Sequence, residues 1–203
     1  MSEFDNKARD WDNNPRHIER SEAIAKALLE TIPLHKNMKA LEYGAGTALL
    51  SFILRDRFDD ITLMDNSREM TQVVMEKIAS ENVKNMNPLL FDLEKEDFNG
   101  TFDIIYTQMV LHHVGDIDAI FYKFCALLNT AGYLAIADLY PEDGSFHGAG
   151  FNGHTGFDVE VLSNKLNNIG FKNIQHHQCH ILNNEDEAGN ITAYPIFLLT
   201  ASR

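Results

Sequence analysis

Three acids and two glycines carry the clearest chemistry in this chain. Glu42, Gly44, Ala45 and Gly46 fall in the run Leu-Glu-Tyr-Gly-Ala-Gly-Thr-Ala at residues 41–48, Asp65 comes 23 residues after Glu42, and Asp92 with Leu93 comes later. An acid followed by Gly-x-Gly at a strand-to-helix turn seats a nucleoside ligand in many α/β proteins. Glycine allows this because it lacks the Cβ that would hold a ligand away from the backbone. A dinucleotide turn wants a further glycine, G-x-G-x-x-G, and Leu49 stands in its place. That disfavours a nicotinamide cofactor.

The acid before the first glycine narrows the ligand. Glu42 would repel a pyrophosphate and suits a ligand with a cationic amino-acid end. S-adenosylmethionine has such an end, with a sulfonium, an ammonium and no phosphates. An acid at the end of the second strand, here Asp65, accepts hydrogen bonds from ribose hydroxyls in nucleoside sites of this kind.

These residues need a scaffold, and the hydrophobic pattern supplies one. Short apolar runs at 39–43, 61–65, 88–92, 102–107 and 133–138 read as strands. Between them lie helical patterns at 49–54, 69–80 with Ser67 as cap, and 117–128, the last followed by a turn at 129–132. Ile24, Leu28 and Ile32 mark an earlier helix that Pro33 ends. A helix over 157–169, closed by Gly170, precedes two long strands at 171–182 and 191–201 with a polar turn at 183–190 between them. The predicted fold is α/β: a Rossmann-like seven-stranded sheet, mostly parallel, finished by a C-terminal antiparallel hairpin, with helices on both faces. One domain is expected over 1–203. It divides into an N-terminal lid and helical segment (1–33), a cofactor-binding core (38–140), and a substrate loop, helix and hairpin (141–203). All three acids then fall on the rim at the C-terminal strand ends, where such sheets bind ligands.

From residue 41 to 138 the chain resembles the class I S-adenosylmethionine-dependent methyltransferases, of the small-molecule type that includes the ubiquinone and menaquinone C-methylating enzymes. The likeness runs through Glu42-Tyr43-Gly44-Ala45-Gly46-Thr47, Met64-Asp65, Phe91-Asp92-Leu93 and the stretch from Phe102 to Val114. The resemblance implies S-adenosyl-L-methionine as cofactor. It implies that Gly44, Ala45 and Gly46 pass under the methionine end, and that Asp65, with Asn66 and Met70 just beyond it, holds the ribose side. Asp92 and Leu93 would border the adenine, and Gln108 and Met109 would line the methyl side. The family often has a third glycine where this chain has Ala48. The lead-in at residues 4–12, with Phe4, Ala8, Trp11 and Asp12, also resembles the family's, which closes over the cofactor as a lid. Trp11 is the only tryptophan.

Methyl transfer needs a nucleophile held in line with an activated carbon, and a base only if the acceptor must lose a proton. Among nine histidines, His113 after the fourth strand and His154 in the glycine-rich, flexible-looking loop after the fifth are the candidate base or acceptor contacts. His176 and His180 lie roughly 13 Å apart on an extended strand, too far to share an ion, and no metal is expected. A cysteine pair, Cys125 and Cys179, with no C-x-x-C spacing, fits buried thiols in a reduced compartment.

Hydrophobic residues at 44% and charged residues at 23% describe an ordinary globular protein, and no apolar run spans a bilayer. A net charge of −13 disfavours nucleic acid and anionic lipid as partners. The expectation is a cytoplasmic monomer or homodimer that methylates a small-molecule acceptor. The alternative is a catalytically silent S-adenosylmethionine-binding module acting through a protein partner.

Overall fold

The computed structural model describes residues 4–185 and 189–203. Seven strands make one sheet in the order β3-β2-β1-β4-β5-β7-β6. They are β1 (Lys39–Tyr43), β2 (Asp60–Asp65), β3 (Met86–Leu90), β4 (Phe102–Gln108), β5 (Leu128–Leu139), β6 (Lys172–Glu185) and β7 (Ile191–Ser202). The first five pair in parallel, and β7 inserts antiparallel between β5 and β6. The expected sheet is therefore observed. The third strand stops at Leu90, so Asp92 stands two residues beyond it. The turn expected at 129–132 is drawn into β5, whose pairing with β4 shifts register between Phe102 and Ile104 while Ala131 takes a positive φ of 63°. The polar turn between the last two strands falls partly on residues 186–188, outside the described residues.

Among the described residues five α-helices cover the sheet: α1 (Pro15–Thr31), α2 (Leu49–Leu54), α3 (Arg68–Glu81), α4 (Ile117–Leu127) and α5 (Val159–Ile169). Strand alternation assigns them to faces. Ala40, Ile104 and Tyr106 pack with Ile24, Leu28, Leu50 and Val74, so α1, α2 and α3 share one face. Leu41, Ile105 and Leu134 pack with Ile120, Phe124, Leu162 and Leu166, so α4 and α5 share the other.

Side-chain caps set where the helices begin. Asn14 caps α1 ahead of Pro15, Ser67 caps α3 by accepting from the Met70 N–H, and Asp158 caps α5 by accepting from Glu160 and Val161. Gly170 closes α5 at φ 112°. A β-bulge between Gln178 and His180 interrupts β6. Side-chain alternation along β6 therefore breaks at Cys179.

Candidate active site

The C-terminal ends of β1, β2 and β4 open onto one cavity of about 650 Å³, within the range of small-molecule sites. Trp11, Gly44, Ala45, Gly46, Asp65, Asn66, Met70, Asp92, Leu93, Gln108, Met109 and His113 all line it. Glu42 and His154 are not among its lining residues, and both expectations are corrected by what these side chains do instead.

Glu42 shares the β1 face of Ala40, which packs toward α1 and α2, so its carboxyl enters the core under the glycine turn. It is fully buried, accepts a hydrogen bond from Ser51 Oγ, and Ser51 Oγ in turn lies 2.6 Å from the Tyr106 hydroxyl. Burial pushes its pKa up to about 8, so at neutral pH it is largely a neutral acid. Glu42 braces the turn from behind and gives the cavity no charge.

The turn itself is shaped by its glycines. Gly44 has φ 68°, and a Cβ there would stand 2.4 Å from a Val110 methyl. Gly46 has φ 55°, and its Cβ would enter open space. The first glycine is thus a packing requirement and the second a strain-free opening toward the cavity. Ala48 ends the turn in the left-handed region at φ 60°, which explains why glycine suits this place. Asp65 joins the two strand ends: one carboxylate oxygen accepts from the Gly46 N–H at 2.7 Å, the other from the Ser67 N–H at 2.8 Å. Burial raises its pKa, and the two backbone donors oppose the rise. Asp92 takes the Glu94 N–H and pairs with Lys95, which fixes the corner after β3.

Before α1, a 3₁₀ segment, Asp5–Asn13, lies across this half of the cavity. Asp12 holds Thr47 Oγ1 at 2.5 Å and Lys77 Nζ at 2.7 Å, Asp5 holds Ser67 Oγ at 2.6 Å, and Arg9 pairs with Glu76. Trp11 packs on the His17 ring at 4.1 Å between centroids. Of these contacts the Arg9–Glu76 pair is exposed and contributes little, whereas those of Asp5 and Asp12 are part-buried.

The other half is built from rings. His112 is buried, and its Nδ1 lies 2.7 Å from the Asp138 carboxylate, itself buried at the end of β5. Ring centroids of His112, His113 and His147 lie 4.2 to 5.2 Å apart, with Phe151 stacked on His147 at 3.9 Å. Burial, then the two neighbouring imidazoles, hold His113 down at about 3, so it is a neutral lone-pair donor at physiological pH. Residues 141–157, expected to be a flexible loop, are tied at many points. Glu142 Oε2 accepts from the Gly144 and Phe146 N–H groups, Ser145 meets the Tyr194 hydroxyl, and Phe157 N–H returns to Leu139. His154 is one of those ties. Its N–H donates to the His112 carbonyl at 2.8 Å, and its Nε2 lies 3.0 Å from the Val114 carbonyl. Both contacts turn it toward backbone and away from the cavity.

Sequence reasoning missed Arg20 and the pairing of His112 with Asp138, and within the loop after β5 it took His154 rather than His147 as the candidate contact. Arg20 lies on α1, is buried and lines the cavity. Its Nε has no hydrogen-bond partner among the described residues. Burial lowers its pKa to about 10, and Asp138 opposes that shift, so the guanidinium stays charged. Its spacing matches only the polar edge of an amphipathic helix, so no local signal marks it.

A doubly covered parallel sheet with an inserted antiparallel strand and a glycine turn beside a buried strand-end acid is the architecture of a class I methyltransferase. The family of methyltransferase domains matches residues 16–185, and the chain belongs to it. A relative is an uncharacterized methyltransferase of Schizosaccharomyces pombe, 27% identical over 155 residues, which cover 68% of this chain and 55% of that protein. The chain spans about half the length of that curated relative and a third or less of the others it matches. Among solved structures, the YcgJ protein of Bacillus subtilis superposes with a TM-score of 0.74 at 13% identity, covering 90% of this chain and 98% of that one. Phosphoethanolamine N-methyltransferase 2 of Haemonchus contortus, in complex with S-adenosyl-L-methionine, gives 0.72 at 14%, covering 91% and 52%. Among the described residues no helix is long and apolar enough to cross a membrane.

Proposed function

We propose that this chain transfers a methyl group from S-adenosylmethionine to a small-molecule acceptor. The observation that carries the reading is one cavity with two unlike halves, a glycine-and-acid wall at the strand ends and a ring-lined wall beside it. Two features fit the cofactor. Gly46 leaves open a space that a Cβ would fill, and the buried Arg20 guanidinium has an Nε without a partner.

When bound, the cofactor supplies a methyl carbon already activated by its sulfonium. In this reading the Asp65 carboxylate accepts from the ribose hydroxyls with the lone pairs its two backbone donors leave. Leu93 and Asp92 border the adenine. Arg20 meets the carboxylate of the methionine end, and Gln108, steadied by Ser21 Oγ at 3.2 Å, lines the methyl side with Met109. Met109 holds a left-handed φ of 54°, a costly conformation of the kind that collects at sites. His113 faces the acceptor. The Trp11 segment covers the cofactor and excludes water.

Incubation of the protein with methyl-labelled cofactor and a metabolite extract tests this. The expected result is release of S-adenosylhomocysteine with label in one small compound. Tight cofactor binding with no label transferred to any fraction would overturn the enzyme reading in favour of a silent binding module.

A further inference from the structure

We propose that His112, His113 and His147 bind a divalent transition-metal ion, zinc by the chemistry of the donors, on the acceptor side of the cavity. One ligand atom from each imidazole lies within 4.8 Å of the other two. Three nitrogens around a zinc ion at roughly 2.0–2.1 Å stand about 3.3 Å apart, so the rings need to draw in by about 1 Å or more. His147 can supply that movement. It is exposed, on a turn between Gly144 at φ 89° and Gly148 at φ 79°.

A second feature, independent of that spacing, is the support behind His112. With Nδ1 held by the Asp138 carboxylate, the nitrogen left for a ligand is Nε2, and the carboxylate fixes both the ring's tilt and its tautomer. Asp138 is held in turn by the Leu139 N–H at 2.8 Å and approached by the His112 N–H at 3.4 Å. A carboxylate behind a histidine is the usual outer support of a metal-bound imidazole. Three imidazoles also leave a position open, as catalytic zinc sites do and structural ones do not. All three residues line the same cavity as Asp65 and Gly46, so that open position faces the ligand space. The sequence expectation of no metal rested on His176 and His180. This cluster instead joins a 3₁₀ turn after β4 to a loop after β5.

The use of the ion rests on the methyl-transfer reading. An acceptor thiol or hydroxyl binds at the open position and releases its proton to solvent, because the ion stabilises the anion. The sulfur or oxygen lone pair then forms the bond to the methyl carbon as the methyl–sulfonium bond breaks. That bond's electrons return to the cofactor sulfur, leaving neutral S-adenosylhomocysteine and a methylated acceptor.

The test uses the full chain, free of any histidine tag, stripped with chelator and titrated with Co²⁺ as a spectroscopic substitute for Zn²⁺. The expected result is one ion per chain, with visible bands of a four- or five-coordinate site. Asp138→Asn should weaken binding about 10- to 100-fold, and His147→Ala, at an exposed position, should weaken it at least as much. Cofactor calorimetry on each variant reports whether its fold is intact. Failure of the parent chain to take up Co²⁺, or unchanged Co²⁺ affinity in a folded His147→Ala, would overturn the site. Undiminished methyl transfer by chelated protein would overturn its catalytic use and leave the enzyme reading standing. Co²⁺ uptake with no transfer to any acceptor would support the site and count against the enzyme reading.

Discussion

The wall from Gly44 to Asp65 is made of backbone held at strand ends, whereas the wall from His112 to Phe151 is made of rings carried on turns. In the first, the backbone is tied a few residues away or to the neighbouring strand: Gly46 N–H on Asp65, Ser67 N–H on the same carboxylate, Gly44 N–H on the Met64 carbonyl. In the second, the partners come from distant parts of the chain, as with His112 on Asp138, His147 beside His113, and Ser145 on Tyr194. A wall fixed by sheet geometry suits a ligand common to many enzymes. A wall fixed by loops can be rebuilt for each acceptor without disturbing the sheet.

The contrast can be broken most directly at Asp65. Replacing it with Ala removes a charged acceptor for the ribose and orphans two backbone donors. Cofactor affinity should fall about 100-fold, the equivalent of roughly 3 kcal/mol. Calorimetry showing unchanged affinity would remove Asp65 from the site. The two glycines should separate next. Gly44→Ala drives a Cβ into Val110 and should lower stability by about 2–3 kcal/mol in thermal or denaturant unfolding. Gly46→Ala meets no protein atom, so its smaller stability loss of about 1 kcal/mol should come with the larger loss of cofactor binding.

Glu42 sharpens the comparison from beneath the turn. Its folded pKa of about 8 lies above its ordinary 4.5. Between these values the unfolded chain binds fewer protons than the folded one, so stability falls as pH rises through that window. The contribution is complete below about 4.5 and gone once pH passes 8. Glu42→Gln should flatten the decline in melting temperature between those limits and be the more stable protein at the alkaline end, by about 2 kcal/mol. An unchanged pH profile would show that Glu42 is not held neutral.

Arg20→Met should reduce cofactor affinity about 10-fold with no loss of folded stability, because it removes a buried charge along with its ligand contact. The smallest effect is expected at His154. His154→Ala should cost about 1 kcal/mol of stability and raise the acceptor KM through a looser loop, with kcat nearly unchanged. A collapse of kcat would restore His154 to the chemistry.

What could be read from the sequence follows the same division. The glycine turn, the acid at the end of β2, the Ser67 cap and the succession of strands along the chain were legible because each signal is complete within a few residues. Glu42 was identified correctly as an acid beside the turn, but its direction was misjudged: alternation along β1 sends it into the α1–α2 face. His154 sat in the right loop, yet only the folded loop shows its ring on the Val114 carbonyl. Arg20 was invisible because nothing local distinguishes a helix-edge arginine from one that the fold carries to a cavity, and His147 shared a loop with His154 in which no local signal ranks one above the other. The bulge at Cys179 and the long start of β5 escaped for a related reason, since register is settled by the partner strand.

One arrangement in the sheet has a consequence in time as well as in space. β7 lies between β5 and β6, both of which are made before it. While the chain emerges in order, β5 presents a bare edge and β6 has no strand to pair with. The sheet that orients Asp138, and through it His112, closes only when β7 slides into the gap. Until then the nascent protein carries open strand edges of the kind that recruit other strands.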